Sequence, residues 1–361
     1  MEGNELQNER LNMFLHRAKE YEATDLHLCP GSLPLMRVRG MLKEMPGAQM
    51  LLPPAINGII DMLLDEKKRE TLEKDRVLDF SFSRPGLGRF RANIYSQRGT
   101  YAIAVRMLPF DIPAIDKLGL PASVGMFTSR TKGLFLVTGP TGSGKSTTLA
   151  SLLDVLNEQY QYHIITIEDP IEYLHKHKKS LMTQREIGED ADSFAQALRS
   201  ALREDPDVIM VGEMRDTETI SIALTAAETG HLVLSTLHTV DTAKSVDRIV
   251  DAFPPEQHNQ VRSQLATVLE GVVSQQLIPR LDGKGMALAS EVMFTNTAVR
   301  SLIREGKHYQ INSVLQTGQA HGMQLLEADL ARLCNEGIID TEATLLHAHN
   351  PQLLQQFLYR R

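Results

Sequence analysis

A glycine-rich loop constrains the fold of this 361-residue chain more than any other feature of its sequence. The loop consists of Gly139, Pro140, Thr141, Gly142, Ser143, Gly144, Lys145, Ser146 and Thr147. It follows an apolar run and precedes a helical pattern, and it matches G-x-x-x-x-G-K-[ST], in which backbone N–H groups surround phosphate oxygens. The pattern predicts ATP binding, with Lys145 at the β and γ phosphates and the Ser146 hydroxyl on Mg²⁺.

The second part of the chain, from residue 126 to residue 361, has the pattern of an α/β domain. Near-continuous apolar runs occupy residues 134–137, 164–167, 208–211 and 232–234, and each is followed by a helical segment. Such runs predict a parallel-rich sheet covered by helices on both faces. Ligands bind beyond the carboxyl ends of the strands in sheets of this kind.

Reactive side chains stand at or near the ends of these predicted strands. Glu168 directly follows the second run, Glu213 lies two residues beyond the third and His238 four residues beyond the fourth, while His231 directly precedes the fourth. A carboxylate at this edge, which we expect to lie beside the phosphate loop, can orient or deprotonate an attacking water. Solvated strand ends, and a histidine that fills a turn, would give the same pattern.

The first 109 residues predict a smaller α+β domain. A helical pattern covers residues 4–22, and alternating strands follow near residues 35–39, 78–83, 90–95 and 101–107, with a helical stretch at 56–72. Prolines then mark a linker at residues 110–125.

Composition excludes several classes of protein. The formal net charge of −7 argues against a nucleic-acid partner. The two cysteines, Cys29 and Cys334, form no CxxC pair, so neither a zinc site nor a disulfide framework is indicated. No apolar run approaches the ~18 residues of a membrane span. The chain lacks both an N-K-x-D guanine motif and a Gly-x-Gly-x-x-Gly dinucleotide motif, so we expect neither a GTPase nor a dinucleotide enzyme.

Five segments together resemble the type II and type IV secretion ATPases: GPTGSGKST, ITIEDPIEY, LREDPDVIMVGEMRD, ETGHLVLSTLHT and VDRIVDAFPPEQ. The resemblance implies a PAS-like first domain, a RecA-like ATPase domain and a homo-hexameric ring. By the same resemblance, Glu168 is the catalytic base, Glu213 the Walker B acid, and His231 and His238 the residues of the His box.

The segment 298–305, AVRSLIRE, is similar to AIRNLIRE of the pilus-retraction ATPases. This branch implies a motor that powers type IV pilus retraction and twitching, lies in the cytoplasm against an inner-membrane platform protein, and works beside a paralogous retraction ATPase. The chain lacks the zinc module and large N-terminal region of export ATPases. Three alternatives remain for this chain: the paralogous retraction ATPase itself, in an accessory role, a hexameric DNA translocase, or a non-catalytic regulatory ring.

Two sets of arginines could act outside the phosphate loop. Arg91, Arg98 and Arg106 of the first domain are candidates to reach the γ-phosphate of a neighbouring subunit, unless they form an ordinary solvated sheet face. Arg300 and Arg304 lie four residues apart on one face of a predicted helix. We expect them to couple hydrolysis to movement, and their replacement with Ala to cost little stability, unless they only solvate the helix.

Overall fold

The computed structural model describes residues 2–109 and 111–358. Met1 of the predicted first domain, Phe110 at the start of the predicted linker, and residues 359–361 at the end of the predicted second domain lie outside this range. The chain divides into two compact units. Unit 1 comprises Met1–Asp111 with Glu172–Leu174, and unit 2 comprises Ile112–Ile171 with His175–Arg361.

Unit 1 contains one antiparallel sheet and three helices. The strands are β1 Asp25–Leu28, β2 Leu35–Val38, β3 Met41–Glu44, β4 Val77–Arg84, β5 Gly88–Gln97 and β6 Thr100–Met107. The helices are α1 Glu2–Glu20, α2 Pro53–Leu63 and α3 Glu66–Asp75. The strand order is β3-β2-β1-β6-β5-β4, and every neighbouring pair is antiparallel. This arrangement is the α+β type that the alternating pattern predicted.

The predicted helical stretch at 56–72 is two helices. Leu64 has extended backbone angles, with φ −103° and ψ 135°, which end α2. The Asp65 carboxylate accepts a 2.8 Å hydrogen bond from the Lys68 N–H and begins α3 as its N-cap. The helical spacing of the apolar residues runs through 56–72 without interruption, so it did not show this break, which the N-cap residue Asp65 marks.

Unit 2 contains a seven-stranded sheet. Its strands are β7 Gly133–Thr138, β8 His163–Glu168, β9 Leu181–Glu186, β10 Val208–Val211, β11 Leu232–Leu237, β12 Leu269–Pro279 and β13 Met286–Phe294. Its helices are α4 Lys145–Gln159, α5 Phe194–Ala201, α6 Thr217–Glu228, α7 Thr242–Val250, α8 His258–Val268, α9 Thr297–Arg304, α10 Ile311–Thr317, α11 Leu326–Asn335, α12 Thr341–His347 and α13 Pro351–Leu358.

The sheet order is β13-β12-β7-β11-β10-β8-β9. All neighbouring pairs from β12 to β9 are parallel, and only β13 runs antiparallel. Every residue of β7, β10 and β11 is buried, which requires cover on both faces of the sheet. The predicted parallel-rich α/β fold is thus confirmed, although β8 is followed by the edge strand β9 before any helix.

The end of the predicted linker packs into unit 2. Residues Ala122–Ser129 form a 3₁₀ helix, in which Val124 and Phe127 are buried. The Phe127 ring stacks on Phe135, with centroids 3.8 Å apart, and on Phe294, with centroids 4.4 Å apart.

Within the described residues, no helix has the length and apolarity that crossing a membrane requires.

Candidate nucleotide-binding site

The glycine-rich loop leaves β7 in a conformation that only glycine tolerates well. Gly139 has φ 143°, and a Cβ atom there would lie 2.3 Å from the Gln275 carbonyl oxygen. Gly144 has φ 87° directly before α4. Because both positions need positive φ, the glycines of the pattern are required by backbone geometry.

The chemistry of the loop fits a nucleotide phosphate chain. The Lys145 ammonium is buried and donates 2.9 Å hydrogen bonds to the Gly139 and Pro140 carbonyl oxygens. Helix α4 starts at Lys145, so the positive end of its dipole lies at the loop. Among the described residues, the buried Thr138 and Ser143 hydroxyls have no hydrogen-bond partner. Uncompensated buried donors at a helix N-terminus match an anionic ligand.

Gln275 supports the loop, and the sequence reading missed it. This residue of β12 is fully buried. Its Nε2 atom donates to the Ser143 carbonyl oxygen at 2.7 Å, and its Oε1 atom accepts from the Thr148 hydroxyl at 3.1 Å. The only signal in the sequence is an amide within an apolar strand, which does not say what the amide contacts.

Glu168 ends β8 and is held by its neighbours on both sides. Its carbonyl oxygen accepts from the Ile187 N–H at 2.9 Å, and the preceding carbonyl, of Ile167, accepts from the Gly212 N–H at 2.8 Å. The side chain is 8% exposed. A buried carboxylate with a fixed backbone is suited to accepting a proton from a positioned water.

Glu213 and His238 come together at the carboxyl end of β10 and β11. The His238 Nε2 atom lies 3.5 Å from Glu213 Oε2, and Arg215 Nε lies 2.6 Å from Glu213 Oε1. The Thr236 hydroxyl donates to the Gly212 carbonyl oxygen at 2.6 Å and ties the two strand ends together. His238 is about half exposed, so its imidazole remains accessible to a ligand.

The sheet order corrects the expectation that Glu168 lies beside the phosphate loop. Strands β11 and β10 stand between β7 and β8. With about 4.8 Å per strand, the ends of β7 and β8 are roughly 14 Å apart. Glu213, which follows β10, is one strand nearer to the loop than Glu168.

The structure does not bring His231 to the same edge. It precedes β11, and its carbonyl oxygen accepts from the N–H of Gly133, the first residue of β7. Its Nδ1 atom lies 3.0 Å from the carbonyl oxygen of Ala226, in the last turn of α6. Because parallel strands start at one edge and end at the other, His231 lies across the sheet from the loop of its own subunit.

The three arginines of unit 1 separate into a pair and a single residue. Arg91 and Arg106 are register partners on β5 and β6, and the Arg106 Nε atom lies 3.0 Å from Asp25 Oδ1. Arg98 stands in the turn at the other end of this hairpin, with φ 47°. The sheet face therefore presents Arg91 and Arg106 together, apart from Arg98.

The structure gives Arg300 and Arg304 different surroundings. The Arg300 guanidinium donates to the Ala266 and Thr267 carbonyl oxygens, both at 2.6 Å, and to Glu270 Oε1 at 2.9 Å. These carbonyls belong to the last turn of α8, which has no further intrahelical donors. Arg300 thus holds α9 on α8, whereas Arg304 is exposed.

Comparison with known proteins gives the family of this chain. Residues 103–347 match the family model described as Type II/IV secretion system protein. The type IV pilus retraction ATPase PilT of Pseudomonas aeruginosa is 46% identical over 91% of this chain and 95% of its own length. The type IV pilus ATPase PilU of the same organism is 37% identical over 91% of this chain and 86% of its own length.

A solved structure extends the likeness to three dimensions. The crystal structure of the pilus retraction motor PilT with bound ADP has a TM-score of 0.87 and 48% sequence identity, over 94% of this chain and 97% of that one. Both units of the present chain fall within this coverage for the most part. The chain therefore belongs to the type II/IV secretion system protein family, as a member of its pilus-retraction ATPase branch.

Proposed function

We propose that this chain is an ATP-hydrolysing motor that powers type IV pilus retraction. One observation carries the proposal: four adjacent strands, β7, β11, β10 and β8, end at one edge with the phosphate loop, His238, Glu213 and Glu168. A phosphate-binding group, two acids and an imidazole along one edge supply what hydrolysis of a nucleoside triphosphate requires.

Each group has a distinct role in the proposed reaction. The loop N–H groups and Lys145 hold the phosphates, and the Ser146 hydroxyl would hold Mg²⁺, which would neutralise phosphate charge. Glu168 takes the proton of the attacking water as the γ-phosphoryl group leaves the β-phosphate. Glu213, as the Walker B acid, would help to hold Mg²⁺ or water, and His238 can donate a hydrogen bond to an oxygen on which negative charge develops.

We propose a homo-hexamer as the working form. Arg91 and Arg106 lie on one face of unit 1 and serve as candidates to reach a neighbour's γ-phosphate. To act on a neighbour's nucleotide, two residues would need contacts other than this face: Arg98 at the far end of the hairpin and His231 at the opposite sheet edge. The ring is proposed to stand in the cytoplasm against an inner-membrane platform protein, beside a paralogous retraction ATPase.

The experiment combines genetics with enzymology. Deletion of the gene is expected to abolish twitching and leave cells hyperpiliated, and the purified ring is expected to hydrolyse ATP with Mg²⁺. Specific activity should rise with protein concentration and follow the hexamer in light scattering. Full activity in a stable monomer, or normal twitching with normal piliation in the deletion strain, would contradict the proposal.

An accessory role is the second candidate, since PilU is 37% identical to this chain. The higher identity to PilT, 46%, favours the principal motor. Expression of this chain alone in a strain that lacks all retraction ATPases separates the two roles, because an accessory ATPase would not restore retraction by itself. A DNA translocase is tested by adding duplex or single-stranded DNA, which should leave the hydrolysis rate unchanged.

A further inference from the structure

Two polar side chains converge on one oxygen of Glu168. The Thr166 hydroxyl donates to Glu168 Oε1 at 2.7 Å, and the Gln184 Nε2 atom donates to the same oxygen at 3.2 Å. Thr166 and Glu168 lie two residues apart on β8, so their side chains share one face of the sheet. Thr166 and Gln184 are register partners across β8 and β9.

The orientation of the Gln184 amide is itself determined. Its Oε1 atom accepts a 2.8 Å hydrogen bond from the His175 N–H. Since a backbone N–H can only donate, the oxygen must face His175 and the amide nitrogen must face the Glu168 carboxylate. Gln184 therefore links the strand end that carries Glu168 to the segment at His175.

We propose that Thr166 and Gln184 are positioning residues that hold the Glu168 carboxylate in the orientation for proton abstraction. This inference rests on the proposed function of Glu168. Two donors on Oε1 restrict rotation of the carboxylate about its last side-chain bond and so fix its plane. The backbone of Glu168 is already held by β9 and β10, and these two bonds act on its side chain.

The loss of either donor should affect turnover more than nucleotide binding. A hydrogen bond to a charged group corresponds to roughly ten- to a hundredfold in rate. Thr166→Val and Gln184→Met should each lower kcat by that factor, with the KM for ATP changed by less than about twofold, because neither side chain belongs to the phosphate loop. Thr166→Ser, which keeps the hydroxyl, should restore most of kcat.

The decisive experiment is a double-mutant cycle on the purified ring. Thr166→Val is measured alone and in the Glu168→Gln background, where it should change the residual kcat by less than about twofold. Thr344→Val is the matched control: Thr344 is also fully buried, and its hydroxyl bonds only within the α12 region, to the Asp340 carbonyl oxygen. Light scattering and thermal melting confirm assembly and folding of each variant.

The outcomes separate this inference from the proposed function. If Glu168→Gln hydrolyses ATP at the normal rate, the assignment of the base fails and the inference fails with it. If Glu168→Gln is inactive while Thr166→Val and Gln184→Met keep normal kcat, only the positioning role is overturned. An undiminished effect of Thr166→Val in the Glu168→Gln background, or equal losses in Thr166→Val and Thr166→Ser, would also overturn it.

Discussion

The Lys145 ammonium nitrogen lies 2.9 Å from the carbonyl oxygen of Gly139, at the point where β7 enters the loop. A buried cation there places positive charge where the phosphates are expected. Lys145→Ala should abolish hydrolysis and greatly weaken ATP binding, measured by turnover and by titration with a fluorescent nucleotide. Lys132→Ala, which removes an exposed lysine before the same strand, is the control. Turnover near the wild-type rate in Lys145→Ala would refute the phosphate-loop assignment.

The two acids at the sheet edge should separate binding from hydrolysis. Glu168→Gln and Glu213→Ala should each lower turnover by roughly 10²-fold or more, because the first removes the base and the second removes the acid that would help to hold Mg²⁺ or water. Glu168→Gln should retain ATP binding, because the amide keeps the shape of the side chain. Glu256→Gln, at an exposed position, serves as control. Normal hydrolysis in Glu168→Gln together with an inactive Glu213→Ala would reverse the two roles.

Arg300 and Arg304 should give different phenotypes. Arg300→Ala removes the donors to the end of α8 and one of the ion-pair partners of Glu270, and should lower the free energy of unfolding by about 2 kcal/mol. Arg304→Ala should leave stability and ATPase unchanged and stop twitching if this exposed arginine couples hydrolysis to movement. Urea unfolding, ATPase and motility assays measure the three quantities. Normal twitching in Arg304→Ala excludes the coupling role.

Burial raises the pKa of the Glu291 carboxyl to about 7, although the N–H and hydroxyl of Thr242 both donate to it. Below the ordinary pKa of 4.5, the Glu291 carboxyl is protonated in both the folded and the unfolded state, so its titration does not lower the free energy of unfolding. As the pH rises to 7, only the unfolded state ionises, so stability falls. Glu291→Gln should be more stable than wild type at pH 8, and this gain should vanish near pH 4.5. A lower melting temperature for the variant at pH 8 would contradict this expectation.

His175 should make the protein less stable as the pH falls, which is opposite to the effect of Glu291. Burial lowers the pKa of its imidazole from 6.5 to about 4. Above pH 6.5 both states are neutral, whereas between pH 6.5 and 4 the unfolded state gains a proton that the folded state does not, so stability falls on acidification by at most about 3 kcal/mol. Chemical unfolding of His175→Gln should show a flatter pH dependence in this interval. An unchanged slope would mean that another group causes the acid sensitivity.

The sequence predicted the parts of the site that are local in the chain. The loop from Gly139 to Thr147 is recognisable because its glycines and lysine act within nine consecutive positions. Glu168, Glu213 and His238 were found because each stands at the end of an apolar strand or just beyond it. The order of those strands was not predictable from periodicity, and it is this order that separates Glu168 from the loop.

Long-range contacts were beyond the sequence reading. Gln275 meets Ser143 across 132 positions of the chain, and Arg300 meets Glu270 across 30. Arg300 looked like a solvated helix position because helical spacing says which side chains share a face and not what covers that face. Strands β12 and β13 were missed because buried polar residues such as Gln275 and Ser290 interrupt their apolar character.

The β12–β13 hairpin belongs to two cores at once. Gln275 of β12 holds the phosphate loop, while Ile278, Ala287 and Ala289 of the same hairpin pack with the C-terminal helices in a separate apolar cluster. A mechanical load on α11 would thus reach the nucleotide through one covalently continuous, hydrogen-bonded ribbon. Ile278, which packs with the C-terminal helices, and Gln275, which supports the phosphate loop, are three positions apart in the same eleven-residue strand.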